Sequence, residues 1–197
     1  MIQPQQISIV PVETEEDLAP IRRLFRAYVD WLGIDLSYQG FEQELANLPG
    51  KYAPPSGALF LARDGEGPVL GCVGLRAFGQ DGACEMKRLY VLPEGRGRGV
   101  GGALVDAVVG AAAAAGYREM LLDTLPTMTG AIKLYKSAGF EEVDAYYDTP
   151  ISETVFFTKN WGRNGIECLQ TKPPASRWPS FIFYFWVGMP VHSYSNF

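Results

Sequence analysis

Pro93-Glu94-Gly95-Arg96-Gly97-Arg98-Gly99-Val100-Gly101-Gly102 carries five glycines in its last eight positions. Such a run suits neither a strand nor a helix interior, because glycine loses the most backbone entropy on ordering and packs nothing. Before it, Met86-Lys87-Arg88-Leu89-Tyr90-Val91 reads as a strand. After it, Ala103-Leu104-Val105-Asp106-Ala107-Val108-Val109 reads as a helix. A strand, a tight glycine turn and a helix N-terminus therefore follow one another. Bare N–H groups of the turn and of the first helical turn, with the positive end of the helix dipole, form a socket for a phosphate or pyrophosphate. Arg96 and Arg98 are expected to add positive charge at its rim. The competing reading is a surface turn with two solvated arginines.

Three phosphate-socket patterns fit to different degrees. Gly97, Gly99 and Gly102 satisfy G-x-G-x-x-G. A dinucleotide fold, however, places its first glycine directly after the strand and near the start of its domain. A P-loop requires Gly-Lys-Ser/Thr at the helix start, and Gly101-Gly102-Ala103 has no lysine. The third pattern, the acyl-coenzyme A loop Arg/Gln-x-x-Gly-x-Gly/Ala, is met at every fixed position by Arg96-Gly97-Arg98-Gly99-Val100-Gly101.

Downstream, Ala131-Ile132-Lys133-Leu134-Tyr135-Lys136-Ser137-Ala138-Gly139-Phe140 matches A-x-x-L-Y-x-x-x-G-F. With these two segments in this order, the chain resembles the GNAT superfamily of N-acetyltransferases over about residues 7–159. The resemblance implies acetyl-CoA as co-substrate, with two strands splayed like a V and the pantetheine arm in the split. It implies that the backbone of Leu89, Tyr90 and Val91 holds the arm. It further implies that Arg96, Gly97, Arg98, Gly99, Val100, Gly101 and Gly102 hold the pyrophosphate. Tyr135 occupies the place of the family tyrosine that faces the sulfur, and is expected to act as the acid. Its alternative is a core tyrosine one turn from Ile132. Glu85 stands where several members carry a catalytic glutamate and is the expected base. By the two-residue period it shares a strand face with Lys87, Leu89 and Val91. The competing reading is a strand-end ion pair with Lys87 or Arg88. Many members also carry an asparagine before the second segment; Leu125-Pro126-Thr127-Met128-Thr129-Gly130 has none, and Thr127 or Thr129 is left as its substitute.

Composition bounds the alternatives. The 197 residues are 47% hydrophobic and 20% charged, enough for one well-buried core. The net charge of −5 argues against a nucleic-acid binder driven by phosphate neutralisation. Arg163, Lys172 and Arg177 against Glu167 make the segment after Asn160 +2 and the rest −7, and an acidic body mildly favours an amine substrate. The single histidine, His192, argues against His-based triads and zinc sites, so no metal is expected. Cys72, Cys84 and Cys168 show no short pairing motif, which suits a reducing, cytoplasmic location. Neither a signal peptide nor a membrane span is read.

Taken in order, Ile7–Val10 reads as a strand. Thr14 caps a helix carrying Leu18, Ile21, Leu24, Phe25, Tyr28 and Leu32 at helical spacing, closed by Gly33. A short helix over Phe41–Leu48 and a loop over Pro49–Gly57 follow; Tyr38, Phe41, Lys51 and Tyr52 either touch the acceptor or only pack this region. Three antiparallel strands are predicted at Ala58–Arg63, Val69–Phe78 and Cys84–Val91. After the socket come a helix from Val100 to Ala115, a parallel-paired strand at Tyr117–Thr124, and a helix at Thr129–Ser137. Two last strands are predicted at Phe140–Tyr146 and Thr154–Lys159, with Tyr146, Tyr147 and Asp148 near the acceptor end. The expected fold is α/β, a mixed, mostly antiparallel six- to seven-stranded sheet with helices on both faces.

The domain is expected to span residues 1–160, with 161–197 an aromatic-rich extension of unknown role: packing on the domain or across a homodimer interface is favoured over contact with a membrane surface or an extension with no evolved role. The function expected is transfer of an acetyl group from acetyl-CoA to a small-molecule amine in a ternary complex. Acetylation of a protein N-terminus or lysine, and a non-catalytic acyl-CoA sensor, are the alternatives.

Overall fold

The computed structural model describes residues 6–79 and 82–161. The expectations for the extension beyond Trp161, with Cys168 and His192, lie outside the described residues. Seven strands form one sheet in the order β1-β2-β3-β4-β5-β7-β6. They are β1 (Ile7–Pro11), β2 (Ala58–Asp64), β3 (Val69–Ala77), β4 (Ala83–Val91), β5 (Glu119–Thr124), β6 (Glu141–Val143) and β7 (Val155–Asn160). Four helices accompany them: α1 (Glu15–Leu32), α2 (Phe41–Ala46), α3 (Val100–Ala114) and α4 (Thr129–Ser137). Only β4 and β5 pair parallel; every other ladder is antiparallel. The mixed α/β sheet with helices on both faces is as expected.

Local chemistry explains the helix ends. Thr14 Oγ1 accepts from Asp17 N at 3.3 Å, and the Asp17 carboxylate takes the Thr14 N–H in return. This reciprocal pair satisfies two N–H groups that a helix start leaves open. Gly33 ends α1 in the left-handed conformation at φ 66°. Leu18, Ile21, Leu24 and Phe25 form its buried stripe.

Two cores lie on opposite faces of the sheet. Leu104, Val105 and Val108 of α3 and Tyr135 of α4 pack with Met86, Met120, Leu122 and Phe157. Helices α1 and α2 pack with Leu59, Leu61, Cys72 and Tyr90. Helix α2 is also clamped by charge: Arg88 Nε and Nη2 donate to the two Glu44 oxygens at 2.9 and 3.0 Å, and the Tyr52 hydroxyl adds a third bond at 3.0 Å. Burial works against the Glu44 charge, but the Arg88 fork outweighs it and holds the carboxyl below its ordinary range. Phe41 and Tyr52 are both buried packing residues here, and the Arg88 guanidinium lies 5.3 Å over the Phe41 ring.

The thiols of Cys72 and Cys84 are fully buried and donate to the Arg88 and Glu119 carbonyls. Burial pushes both up, Cys84 to about 12.

One sequence expectation fails on β4. Cys72 pairs with Tyr90 but Gly74 with Lys87, so Arg88 and Leu89 together stand opposite Val73. Arg88 takes φ 58°, a left-handed value uncommon outside glycine. This bulge reverses the side-chain alternation. Leu89 and Val91 therefore pack toward α3 and α4 with Met86, while Tyr90 faces α1. Glu85 and Lys87 do not share their face. At the far edge β6 covers only Glu141–Val143, because Tyr146 and Tyr147 turn inward to stack on Phe156 at 5.0 and 5.3 Å.

Replacing Thr14 with Ala should lower unfolding free energy by about 1 kcal/mol, read as a shifted denaturant midpoint at unchanged slope.

Candidate active site

Strands β4 and β5 are paired only from Ala83 to Glu85 and from Glu119 to Leu121. Beyond that point β4 runs to Val91 and β5 to Thr124 with no further ladder pairing. The gap is a cleft of about 560 Å³. Its walls are Met86 to Val91 on one side and Leu122 to Leu125 on the other. Gly95, Arg96, Gly97, Gly99, Val100 and Gly101 of the loop also line it, as do Tyr28, Leu36, Tyr38 and Gln39. Because the split passes through the sheet, Tyr135 from the α4 face and Lys87 from the opposite face both reach it.

The glycine loop follows from its sequence. Pro93–Gly95 makes one 3-10 turn, and Gly97 and Gly99 take φ 74° and 79° before α3 begins. Those values are open to glycine at little cost. The N–H groups of Gly97, Gly99, Val100, Gly101 and Gly102 have no acceptor among the described residues. Unpaired N–H groups at a helix N-terminus are the kind of feature that suits an anion. A Cβ at Gly101 would stand 3.1 Å from Leu134 of α4, so this glycine also admits close packing beside the socket.

The two loop arginines are both tethered. Arg96 Nε donates to the Val91 carbonyl at 3.1 Å, and its guanidinium lies 5.2 Å over the Trp31 ring at the end of α1. Arg98 Nη2 stands 3.0 Å from Asp64 Oδ1, a buried carboxylate at the β2–β3 turn. Arg98 is thus a brace between the loop and a neighbouring hairpin as well as a rim charge. Sequence reading overlooked Asp64 because it lies 34 positions upstream and only the fold brings it near.

Glu85 is 1% exposed. Its Oε2 accepts from Arg76 Nε at 2.8 Å and lies 2.6 Å from Nη2. Its Oε1 accepts from the Tyr146 hydroxyl at 3.1 Å and lies 3.5 Å from Lys87 Nζ. Lys87 Nζ in turn donates to Asp123 Oδ1 at 2.6 Å, bridging β4 and β5 just beyond their last paired residues. Asp123 lines the cleft and Glu85 does not, so Glu85 meets the cleft through Lys87. Burial, then the Glu85 and Asp123 charges, push the Tyr146 hydroxyl far up.

Tyr135 is 6% exposed, with its ring 6.0 Å from Phe140 and 6.1 Å from Phe157. Burial, with the charges of Tyr28 and Asp123 as smaller causes, raises its hydroxyl pKa, so it is a proton donor at neutral pH. The core reading of this tyrosine holds, and the residue also lines the cleft. Thr127 and Thr129 line the cleft where the family asparagine is missing. Of the acceptor-side residues named from sequence, Tyr38 lines the cleft, Lys51 is exposed away from its lining and Asp148 is exposed. Among the described residues no cluster of His, Cys, Asp and Glu fits a metal ion, and no helix is long and apolar enough to cross a membrane.

Comparison with known proteins agrees with this geometry. The family model described as the acetyltransferase (GNAT) domain matches residues 55–142. An uncharacterised N-acetyltransferase of Schizosaccharomyces pombe is 44% identical over 156 residues, covering 79% of this chain and 96% of that protein. Human N-acetylaspartate synthetase is 29% identical over 153 residues, 74% of this chain and 48% of that protein. A GNAT-family acetyltransferase of Staphylococcus aureus superposes with TM-score 0.65 at 19% identity, covering 79% of this chain and 99% of that one. An acetyltransferase of Salmonella typhimurium, solved with its cofactor acetyl-CoA, superposes with TM-score 0.58 at 18% identity, covering 80% and 95%. At these identities the two structures speak for the fold alone. The split sheet, the glycine socket and the yeast relative together place the chain in the GNAT family of N-acetyltransferases.

Proposed function

We propose that the protein moves the acetyl group of acetyl-CoA directly to the primary amine of a small-molecule acceptor while both are bound. The observation that carries this reading is the row of five unpaired N–H groups at the mouth of a cleft that ends at Tyr135 and Lys87. A pyrophosphate on that row directs the arm between β4 and β5, so the thioester arrives near Tyr135. Backbone of Leu89, Tyr90 and Val91 lines the arm's path, and Arg96, held by Trp31, adds charge at the mouth.

The amine attacks the thioester carbonyl, and holding both reactants together removes most of the entropic cost of that encounter. In this reading the Tyr135 hydroxyl donates to the departing thiolate. Glu85 serves as the base through Lys87, which lies between it and the cleft. A small acceptor is favoured because the cleft is only about 560 Å³ and Tyr28, Leu36, Tyr38 and Gln39 are among the residues that line it. The relatives named N-acetylaspartate synthetase support the same class. The protein is taken as cytoplasmic, its domain as residues 1–160 and its extension as 161–197; a homodimer is compatible with this reading.

Thiol release from acetyl-CoA, followed across aspartate, other small amines and short peptides, tests the reading. Release with small amines supports it, and release with peptides alone overturns the small-acceptor assignment. Tyr135→Phe should lower kcat on the order of 10²-fold with acetyl-CoA affinity unchanged by calorimetry. Glu85→Gln should lower kcat similarly and also lower the melting temperature, since it leaves Arg76 with a neutral partner in a buried site. Gly99→Val should weaken acetyl-CoA binding about tenfold, because a β-branched residue resists the left-handed backbone by about 1–2 kcal/mol.

A further inference from the structure

The charged side chains beside the cleft are not equally committed. Glu85 has both oxygens engaged, one by Arg76 and one by Tyr146 and Lys87. Glu44 has both engaged by Arg88. Asp123 differs: Lys87 holds Oδ1 at 2.6 Å, and Oδ2 has no hydrogen-bond partner among the described residues. Its side chain is 18% exposed against 1% for Glu85, and it lines the cleft. It stands two residues past Leu121, the last β5 residue paired with β4.

We propose that Asp123 is the residue that receives the acceptor's ammonium group, its Oδ2 accepting an N–H bond that aims the nitrogen at the thioester carbon. This rests on the reading that a small amine is the acceptor. Oδ2 is a carboxylate oxygen on the wall of the cleft and open to a donor, and a protonated amine is the ligand class that supplies both donor and opposite charge. The Lys87 bond leaves Oδ1 fixed, so the free oxygen has a set direction.

The surroundings fit a cation. Lys87 faces Asp123 from β4, Tyr28 from α1, Tyr135 from α4, and Tyr146 and Tyr147 from the segment after β6. The Asp123 charge is among the causes, after burial, that raise the hydroxyls of Tyr28, Tyr135, Tyr146 and Tyr147. Lys87 is spent on Glu85 and Asp123, so the nearest cation is already neutralised. A second unpaired acceptor, Gln39 Oε1, belongs to the acceptor end of the same cleft.

The step balances without any further reactant. An ammonium and a thioester become an amide, a thiol and one proton. The nitrogen gives up one proton along the Lys87–Glu85 route, and its lone pair forms the C–N bond. The C–S bond breaks with its electron pair on sulfur. The nitrogen's second proton balances the one the sulfur takes up. Asp123 orients the amine, and the base role stays with Glu85 behind Lys87.

The test uses the full chain with acetyl-CoA and either aspartate or ethylamine, following thiol release. Asp123→Asn keeps an oxygen for Lys87 but loses the charge; kcat/KM for the amine should fall on the order of 100-fold while acetyl-CoA affinity stays within twofold. Asp123→Glu should retain more activity than Asp123→Asn and bind acetyl-CoA equally. Turnover of Asp123→Asn within threefold of the wild type overturns the proposal, as does equal loss in the Asn and Glu variants. If the wild type releases no thiol with either amine, the small-amine reading falls and takes the proposal with it. If Asp123→Asn does not fold, Asp123→Ser, with its shorter acceptor for Lys87, takes its place under the same criteria.

Discussion

Lys87 and Asp123 meet at 2.6 Å where the ladder between β4 and β5 stops. Below that contact, backbone bonds hold the strands together. Above it, the strands diverge and their inner edges are left for something else to satisfy. The diverging edges line an open cleft, where water or a bound chain of polar groups can satisfy their backbone. The charge pair marks the limit of the opening. It is itself supported by Glu85, Arg76 and Tyr146, so two cations and two anions share one desolvated site. Such a cluster is of little net benefit against an apolar core, but removing one member strands the others. Its location at the fork ties catalytic geometry to sheet integrity.

Much of the architecture was legible because it is encoded locally. Thr14 with Asp17 announces a helix start within four residues, and Gly33 announces its end. The loop from Gly95 to Gly102 declares a turn and a helix N-terminus by composition alone. The strand alternation before it was read correctly as far as Lys87. What failed was non-local. Nothing near Arg88 signals a bulge, since the extra residue is defined by what Val73 faces across the ladder. Glu85 draws Arg76 from nine residues away and Tyr146 from sixty-one. Asp123 reads in sequence as one of three polar residues near the ends of β5; its importance comes from the partner 36 positions earlier.

The two halves of the cleft are built by different means. The mouth is backbone: amides freed by small residues and fixed by the start of α3. The far end is side chain: phenols, a glutamine and leucines carried by α1 and the turn at Ser37–Gln39. Backbone recognition depends on φ and ψ and is lost abruptly when a glycine gains a Cβ. Side-chain recognition can be retuned one residue at a time. Trp31 joins the halves, stacked near Tyr90 at 6.0 Å while carrying Arg96. A shift of α1 on acceptor binding would thus be felt at the loop.

The proposed reaction ends each cycle by liberating a free thiol beside the sheet. Cys72 and Cys84 lie within that same sheet, but both are sealed and keep their protons to high pH. Disulfide exchange runs through an accessible thiolate, and neither cysteine supplies one. Among the described residues, the enzyme is therefore insulated from oxidised forms of its own by-product, and cross-linking to a coenzyme A disulfide has no foothold there.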